Sequence, residues 1–307
     1  MPDWVTRRPI RHTHPIKNLC VPQARNTKEK RILQMADFME FPTEREHMLR
    51  HNTTLVGVIP ELGLVSHFQV GAWEVLYRPM ETGNVKRWGI PLMIPNFGKL
   101  QDGIFQDKGT TLPVHGFGRN LPWLLLKQDQ TSISMQLTSS DATRADYPYE
   151  FSFTVTIEVS ESVLTYTLIM ENHSDEVMPV APGFHPYFAV AQRDKAHIVT
   201  DGLADFSAHT IQWDTQPPDS PYPFPHRVAV TVPRRGTLVV SEQPWNNQYS
   251  LKNMQVWSEP TSAPDHAFVC FEPIVTSANG LNRPQDRLNI AAHGTHQIIW
   301  QLTAHPL

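Results

Sequence analysis

The chain has 307 residues, of which 40% are hydrophobic and 18% charged, and its formal net charge is −4. That length buries roughly three quarters of the unfolded surface, enough for one large β domain or two ordinary ones without covalent staples. The charge balance supplies no global basic field for nucleic acid, and two cysteines, Cys20 and Cys270, make no disulfide framework, so a reducing, cytoplasmic setting is expected.

Charge is uneven along the chain. Residues 1–31 carry eight Lys and Arg against Asp3 and Glu29, a balance of +6 that leaves −10 on the remainder. Residues 1–50 lack period-2 alternation and are read as a basic, partly irregular extension, with room for a short helix over 28–48. The opening MPDWVTRRPIRHTH has no apolar core of the secretory type. The longest apolar runs, such as Leu124-Leu125-Leu126, fall far short of a membrane span.

From Thr53 onward the chain changes to short strand-like runs, and residues 51–307 are read as one domain. Thr54–Ile59 and Leu64–Val70 flank a Pro60-Glu61-Leu62-Gly63 turn, and 73–77 and 132–137 follow as further runs. The clearest pattern is a hairpin. Phe151, Phe153, Val155, Ile157 and Val159 alternate with polar residues, turn at Glu161-Ser162, and continue as Leu164, Tyr166, Leu168 and Met170. Further strands are expected at 177–181, 196–200, Arg227–Val232, 237–240, 255–257, 267–272 and 296–303. The Pro-rich stretch 212–225 reads as a long loop on the rim of a cleft, and the polar stretch 242–252 as another loop. Helical periodicity is scarce after residue 50, and 27 prolines, nearly twice the usual share of about 5%, suit a chain of many turns. The expected fold is all-β, a large antiparallel β-sandwich.

Four stretches carry candidate chemistry. In Pro182-Gly183-Phe184-His185-Pro186-Tyr187-Phe188, a titratable ring sits at a corner between strands, where Gly183 permits positive φ and Pro186 turns its predecessor away from helix; this stretch alone reads equally as a buried His bonded to the turn or as a functional one. In Ala267-Phe268-Val269-Cys270-Phe271-Glu272-Pro273, both faces are apolar, so Glu272 ends what reads as a central strand before Pro273. A carboxyl there is costly unless paired or functional, and partial burial raises its pKa toward neutrality. One imidazole and one carboxyl poised near pH 7 make a general acid/base pair. In residues 112–123, a Gly-punctuated loop holds His115 and Arg119 four residues apart, with Trp123 either a stacking face or core. In residues 87–98, Arg87 precedes an apolar run, either donating into a cavity or packing its stem on Trp88. No HExxH, CxxC, dinucleotide or phosphate-loop motif occurs, so no metal and no cofactor are expected.

These stretches, RWGIPLMIPNFG, LPVHGFGRNLPW, GFHPYF and VWSEP…VCFEP, resemble in order and spacing the motifs of aldose 1-epimerases (mutarotases), in particular the hexose-6-phosphate mutarotase branch. The likeness covers roughly residues 53–303. It implies a galactose-mutarotase-type supersandwich in which Glu272 takes the proton from the anomeric hydroxyl and His185 protonates the ring oxygen. His115, Arg119 and Arg87 match substrate-holding positions. The implied partner is a small sugar or sugar phosphate, with no nucleic acid or membrane, and the assembly a monomer or homodimer. Departures are Trp88 where the branch usually has Gly, Phe184 where galactose-type members carry Asn, and the lack of a clear match for the Asp that many members supply between the His and Glu motifs. A non-catalytic carbohydrate-binding or sugar-sensing protein on the same fold is the alternative. A polysaccharide-cleaving reading would need a second acid near Glu272, which the sequence does not offer.

Overall fold

Period-2 alternation is realised most fully in the sheet that contains the 151–172 hairpin. The computed structural model describes residues 45–78 and 87–307. The extension over 1–44, with its positive charge, Cys20 and most of the 28–48 helix expectation, lies outside the described residues. Where description begins, His47–His51 is a strand paired with Thr54–Ile59, so the sheet starts before the expected boundary at 51.

Phe151–Ser160 and Val163–Asn172 pair antiparallel through the whole predicted hairpin, from Ser160↔Val163 to Phe151↔Asn172. They lie in an eight-stranded sheet ordered Val199–Asp201, Arg227–Val232, Gly236–Gln243, Thr295–Pro306, Val163–Asn172, Phe151–Ser160, Ser132–Thr138, Leu124–Gln128. One face is apolar and buried. The other carries a polar ladder in which Ser134 meets Thr156 at 2.8 Å, Gln136 donates to Thr154 at 3.0 Å and Gln301 donates to Thr165 at 3.1 Å. Such cross-strand pairs tie adjacent strands in register.

The second sheet has ten strands. Its main path runs His47–His51, Thr54–Ile59, Leu64–Val70, Ile90–Met93, Gly183–Phe184, Phe268–Ile274, Asn253–Trp257, Asp219–Pro223, while Trp73–Glu74 pairs with Leu64–Val70 and Tyr187–Ala189 with Phe268–Ile274. Every residue of Phe268–Ile274 is buried, as a central strand with two apolar faces demands. Helix is confined, among the described residues, to single turns such as Asp141–Arg144 and Gln192–Lys195.

Two expectations give way, and one strand lies where none was expected. Part of the Pro-rich stretch is the edge strand Asp219–Pro223, whose prolines are tolerated because an edge strand leaves one side unpaired. Gly236–Gln243 extends into the stretch read as a loop from 242. Leu124–Gln128 is a strand, but every one of its residues is exposed at the sheet edge, so it shows no in/out pattern.

Phe184 joins the two sheets. It packs edge-on to Tyr166 at 4.9 Å and against Trp300 at 5.3 Å, both from the eight-stranded sheet, and all three are buried. Each such aromatic pair adds about 0.5–1.5 kcal/mol beyond burial. Alternation then turns the next side chain, His185, away from that core. Gly183 has its own constraint: it is not at positive φ but lies in a ladder between Met93 and Ile274, where a Cβ would come within 2.6 Å of Ile274 Cγ2. Gly183→Ala is therefore expected to destabilise the fold by about 1–3 kcal/mol, as overpacking does, read as a lowered midpoint in chemical denaturation.

Candidate active site

The ladder beside the central strand is interrupted where the corner passes. Gly183 pairs with Ile274 and Tyr187 pairs with Cys270, so Glu272 lies between the two pairs, opposite His185. The result is a His185 Nδ1 to Glu272 Oε1 separation of 3.5 Å. Glu272 does not end its strand; pairing continues through Pro273 to Ile274. His185 is 4% and Glu272 2% exposed. The imidazole is fixed on three sides: stacked on Tyr187 at 4.5 Å, edge-on to Trp257 at 5.6 Å and edge-on to His115 at 5.5 Å. Its backbone N–H donates to the Pro91 carbonyl at 3.1 Å.

Burial first, and then the neighbouring His115, Arg119 and Arg87, hold the His185 imidazole well below its ordinary pKa. Burial, reinforced by Asp219, pushes the Glu272 carboxyl well above the usual carboxylate range against the pull of Arg119. Both directions favour neutral forms: a carboxylic acid beside a neutral imidazole, with one transferable proton between them.

His115 sits in the loop as expected, and the loop is tightly specified. Gly116, at φ 66°, passes so close to Ile94 that a Cβ would lie 2.2 Å from the Ile94 carbonyl oxygen. His115 itself is at φ 65°, a conformation that costs a non-glycine residue about 1–3 kcal/mol and tends to persist at functional sites. Its Nδ1 accepts the Gly98 N–H at 3.1 Å, which leaves the ring proton on Nε2. Burial, then Arg119 and Arg87, pull its pKa down to about 3.

The remaining predicted residues divide. Arg87 lines the cleft, ion-paired with Glu259 and lying 4.5 Å over the Trp257 ring rather than on Trp88. Arg119 is partly buried, with its Nε unbonded and its charge felt at His115, His185 and Glu272. Trp88 packs with Ile59 and Leu64 and donates to the Ser66 carbonyl at 2.9 Å, so its substitution for Gly does not touch the cleft wall. Trp123 is core, its indole donating to the Gly118 carbonyl at 2.8 Å.

Sequence reasoning missed the far wall. Asp219 lines the cleft at the start of its edge strand and accepts a 2.6 Å hydrogen bond from Gln255, which is the cross-strand partner of Glu272. Asp219 thus stands between the His and Glu motifs, where no match was found. The only signal was its position in the Pro-rich stretch read as a cleft rim. Trp257 and Glu259 are anchored from behind by buried Lys195, which donates to Ser258 Oγ at 2.8 Å and the His266 carbonyl at 2.6 Å and is pulled down to about 8 by burial. The cleft encloses about 520 Å³, with Phe97, Lys99 and Val114 completing its mouth, a volume in the range of small-molecule sites.

Comparison with known proteins adds a family. The model of the aldose 1-epimerase family matches residues 83–253, a stretch that ends before Glu272. A protein of Salmonella typhimurium named "Putative glucose-6-phosphate 1-epimerase" is 33% identical over 151 residues, 46% of each chain. An Escherichia coli protein of the same name is 31% identical over the same length and shares. The match thus spans about half the length of these curated relatives. Among solved structures, a protein from Synechocystis superposes with a TM-score of 0.76 at 21% identity, covering 85% of this chain and 96% of its own. A galactose mutarotase related enzyme from Lactobacillus acidophilus gives 0.68 at 19%, covering 85% and 97%. These two likenesses establish the sandwich fold.

The raised Glu272 pKa has a stability consequence. Below its unfolded pKa of about 4.3 the carboxyl is protonated in both states and contributes nothing. As pH rises, the unfolded chain releases the proton while the native site keeps it, so stability is lost, at up to about 1.4 kcal/mol per pH unit. Glu272→Gln is expected to match the parent near pH 4 and to melt at a higher temperature than the parent at pH 8, measured by calorimetry across that range.

Proposed function

The chain belongs to the aldose 1-epimerase family, and from that premise we propose that it interconverts the α and β anomers of an aldohexose or its 6-phosphate. The observation that carries this reading is the 3.5 Å separation of the His185 and Glu272 side chains at the floor of the cleft. The anomeric hydroxyl and the ring oxygen are bonded to the same carbon. An acid and a base that serve both must therefore stand side by side, each within about 2.6–3.2 Å of its target.

In the forward direction, Glu272 as carboxylate takes the proton of the anomeric hydroxyl. The C1–O5 bond breaks, its electron pair goes to O5, and His185 as imidazolium protonates that oxygen. Rotation about C1–C2 presents the other face of the aldehyde, and the same two groups act in reverse to close the ring. The reactive ion pair has the same proton count as the neutral pair favoured by burial, and differs only by a proton moved from Glu272 to His185. Hydroxyls of a bound sugar, together with Arg119, favour the carboxylate and make that transfer accessible.

His115, with its proton on Nε2, serves as a hydroxyl donor, and Asp219 with Gln255 as acceptor and donor on the opposite wall. Trp257 offers an apolar face. Arg87 and the exposed Lys99 give the cleft its cationic side, which suits a 6-phosphate. The names of the curated relatives favour the phosphorylated sugar. The charge of Arg119 favours the carboxylate form of Glu272 and is felt at His115.

His185→Asn and Glu272→Gln are each expected to lower the mutarotation rate by about 10²–10⁴-fold with the fold retained. NMR exchange or polarimetry on freshly dissolved glucose, galactose and glucose 6-phosphate reads the effect. Saturable sugar binding by the parent chain with no acceleration over buffer would instead assign a sugar-sensing role. The working state holds one proton on the pair, so kcat/KM should keep its plateau below the ordinary imidazole value of about 6.5. An acid limb at or above that value would contradict the burial-lowered His185.

A further inference from the structure

Two orphaned atoms lie at the floor of the cleft, and one unused group packs beside them. His185 Nδ1 and Glu272 Oε2 are buried without a hydrogen-bond partner. Beside them lies the thiol of Cys270, fully buried and idle in the proton-transfer scheme. Cys270 and Glu272 are two apart on one strand and project from the same face, and the corner brings His185 against both. One ligand-type atom from each of the three lies within 4.8 Å of the other two.

The spacing of the imidazole and the carboxyl bears on what these groups suit. At 3.5 Å, His185 Nδ1 and Glu272 Oε1 are too far apart for a good N–H···O bond, which spans about 2.7–3.2 Å. Yet a nitrogen and a carboxylate oxygen each about 2.0–2.2 Å from one tetrahedral zinc ion stand ~3.4 Å apart. The donor set of imidazole, thiolate and carboxylate suits a borderline-soft cation and not calcium or magnesium, which take oxygen ligands. Three protein ligands leave the fourth position of a tetrahedral ion open.

We propose that His185, Cys270 and Glu272 form a binding site for a zinc-type divalent cation, and that cation and sugar exclude one another there. On binding, the imidazole donates a lone pair, the Cys270 S–H bond releases its proton to solvent, and Glu272 gives up any proton it holds; no oxidation state changes. The cation then occupies both proton-transfer groups and blocks turnover. This inhibition rests on the epimerase reading, whereas the site itself does not.

The test uses the full chain, reduced and stripped with EDTA, titrated with Co²⁺ as a spectroscopic probe and then with Zn²⁺. The expected result is a thiolate-to-cobalt charge-transfer band at one equivalent, bleached by Zn²⁺ and by the sugar that is turned over. In Cys270→Ser the band is absent and zinc affinity falls by at least about 10–100-fold, the loss that even outer-shell changes produce. Glu272→Gln, which preserves volume, is a second variant expected to weaken binding similarly. Zn²⁺ inhibits mutarotation by the parent chain competitively with sugar, and the same concentration leaves Cys270→Ser turnover unaffected. Absence of the band, or a band and zinc affinity unchanged in both variants, overturns the site. A band without any sugar turnover supports the site while refuting the epimerase reading; turnover that is insensitive to zinc, with no band, does the reverse.

Discussion

A carboxyl and an imidazole are held 3.5 Å apart with almost no access to water, and the rest of the molecule is arranged around that constraint. Neither group would choose such a place alone, because a low-dielectric site penalises whichever form carries charge. They are kept there by a break in a β-ladder. Strand pairing on either side of the break is strong enough to hold the corner between Gly183 and Tyr187, and Glu272 has no other direction to face.

The surrounding charges then tune the pair instead of neutralising it. Arg119 and His115 stand close enough to be felt at His185, and Asp219 is felt at Glu272. The Arg119 cation depresses the imidazole and the Asp219 anion raises the carboxyl, both in the sense of burial, while Arg119 pulls the carboxyl the other way. Both shifts favour a pair that holds one proton, the condition on which the proposed proton exchange with a sugar rests. A site of this kind weakens the fold that holds it, a familiar conflict between stability and activity.

Precision at the corner comes from apolar contacts made on the side away from the chemistry. Phe184 is seated on Tyr166 and Trp300 of the eight-stranded sheet, so the backbone that carries His185 is anchored to a core some strands away. Behind the opposite wall, buried Lys195 holds the segment that presents Trp257 and Glu259, and these in turn hold Arg87. His185 and Trp257 are thus each supported by residues that do not face the cleft.

Much of this was legible in the residues. The 151–172 hairpin, the strands Thr54–Ile59, Leu64–Val70 and Arg227–Val232, and the sandwich class follow from alternation, because a half-buried strand writes its two faces into every second residue. Edge strands write nothing of the kind: Leu124–Gln128 is exposed throughout and Asp219–Pro223 is dense in proline, so both were unreadable as strands. The sequence alone determined that His185 stands on a stiff corner and Glu272 on a central strand, since Gly, Pro and apolar runs act locally. Only the tertiary structure decided that Gly183 is there for close packing, that Asp219 completes the wall, and that Cys270 lies against His185 and Glu272. Those facts depend on which strands become neighbours, and strand pairing is settled by the packing of two whole sheets rather than by any residue's immediate surroundings.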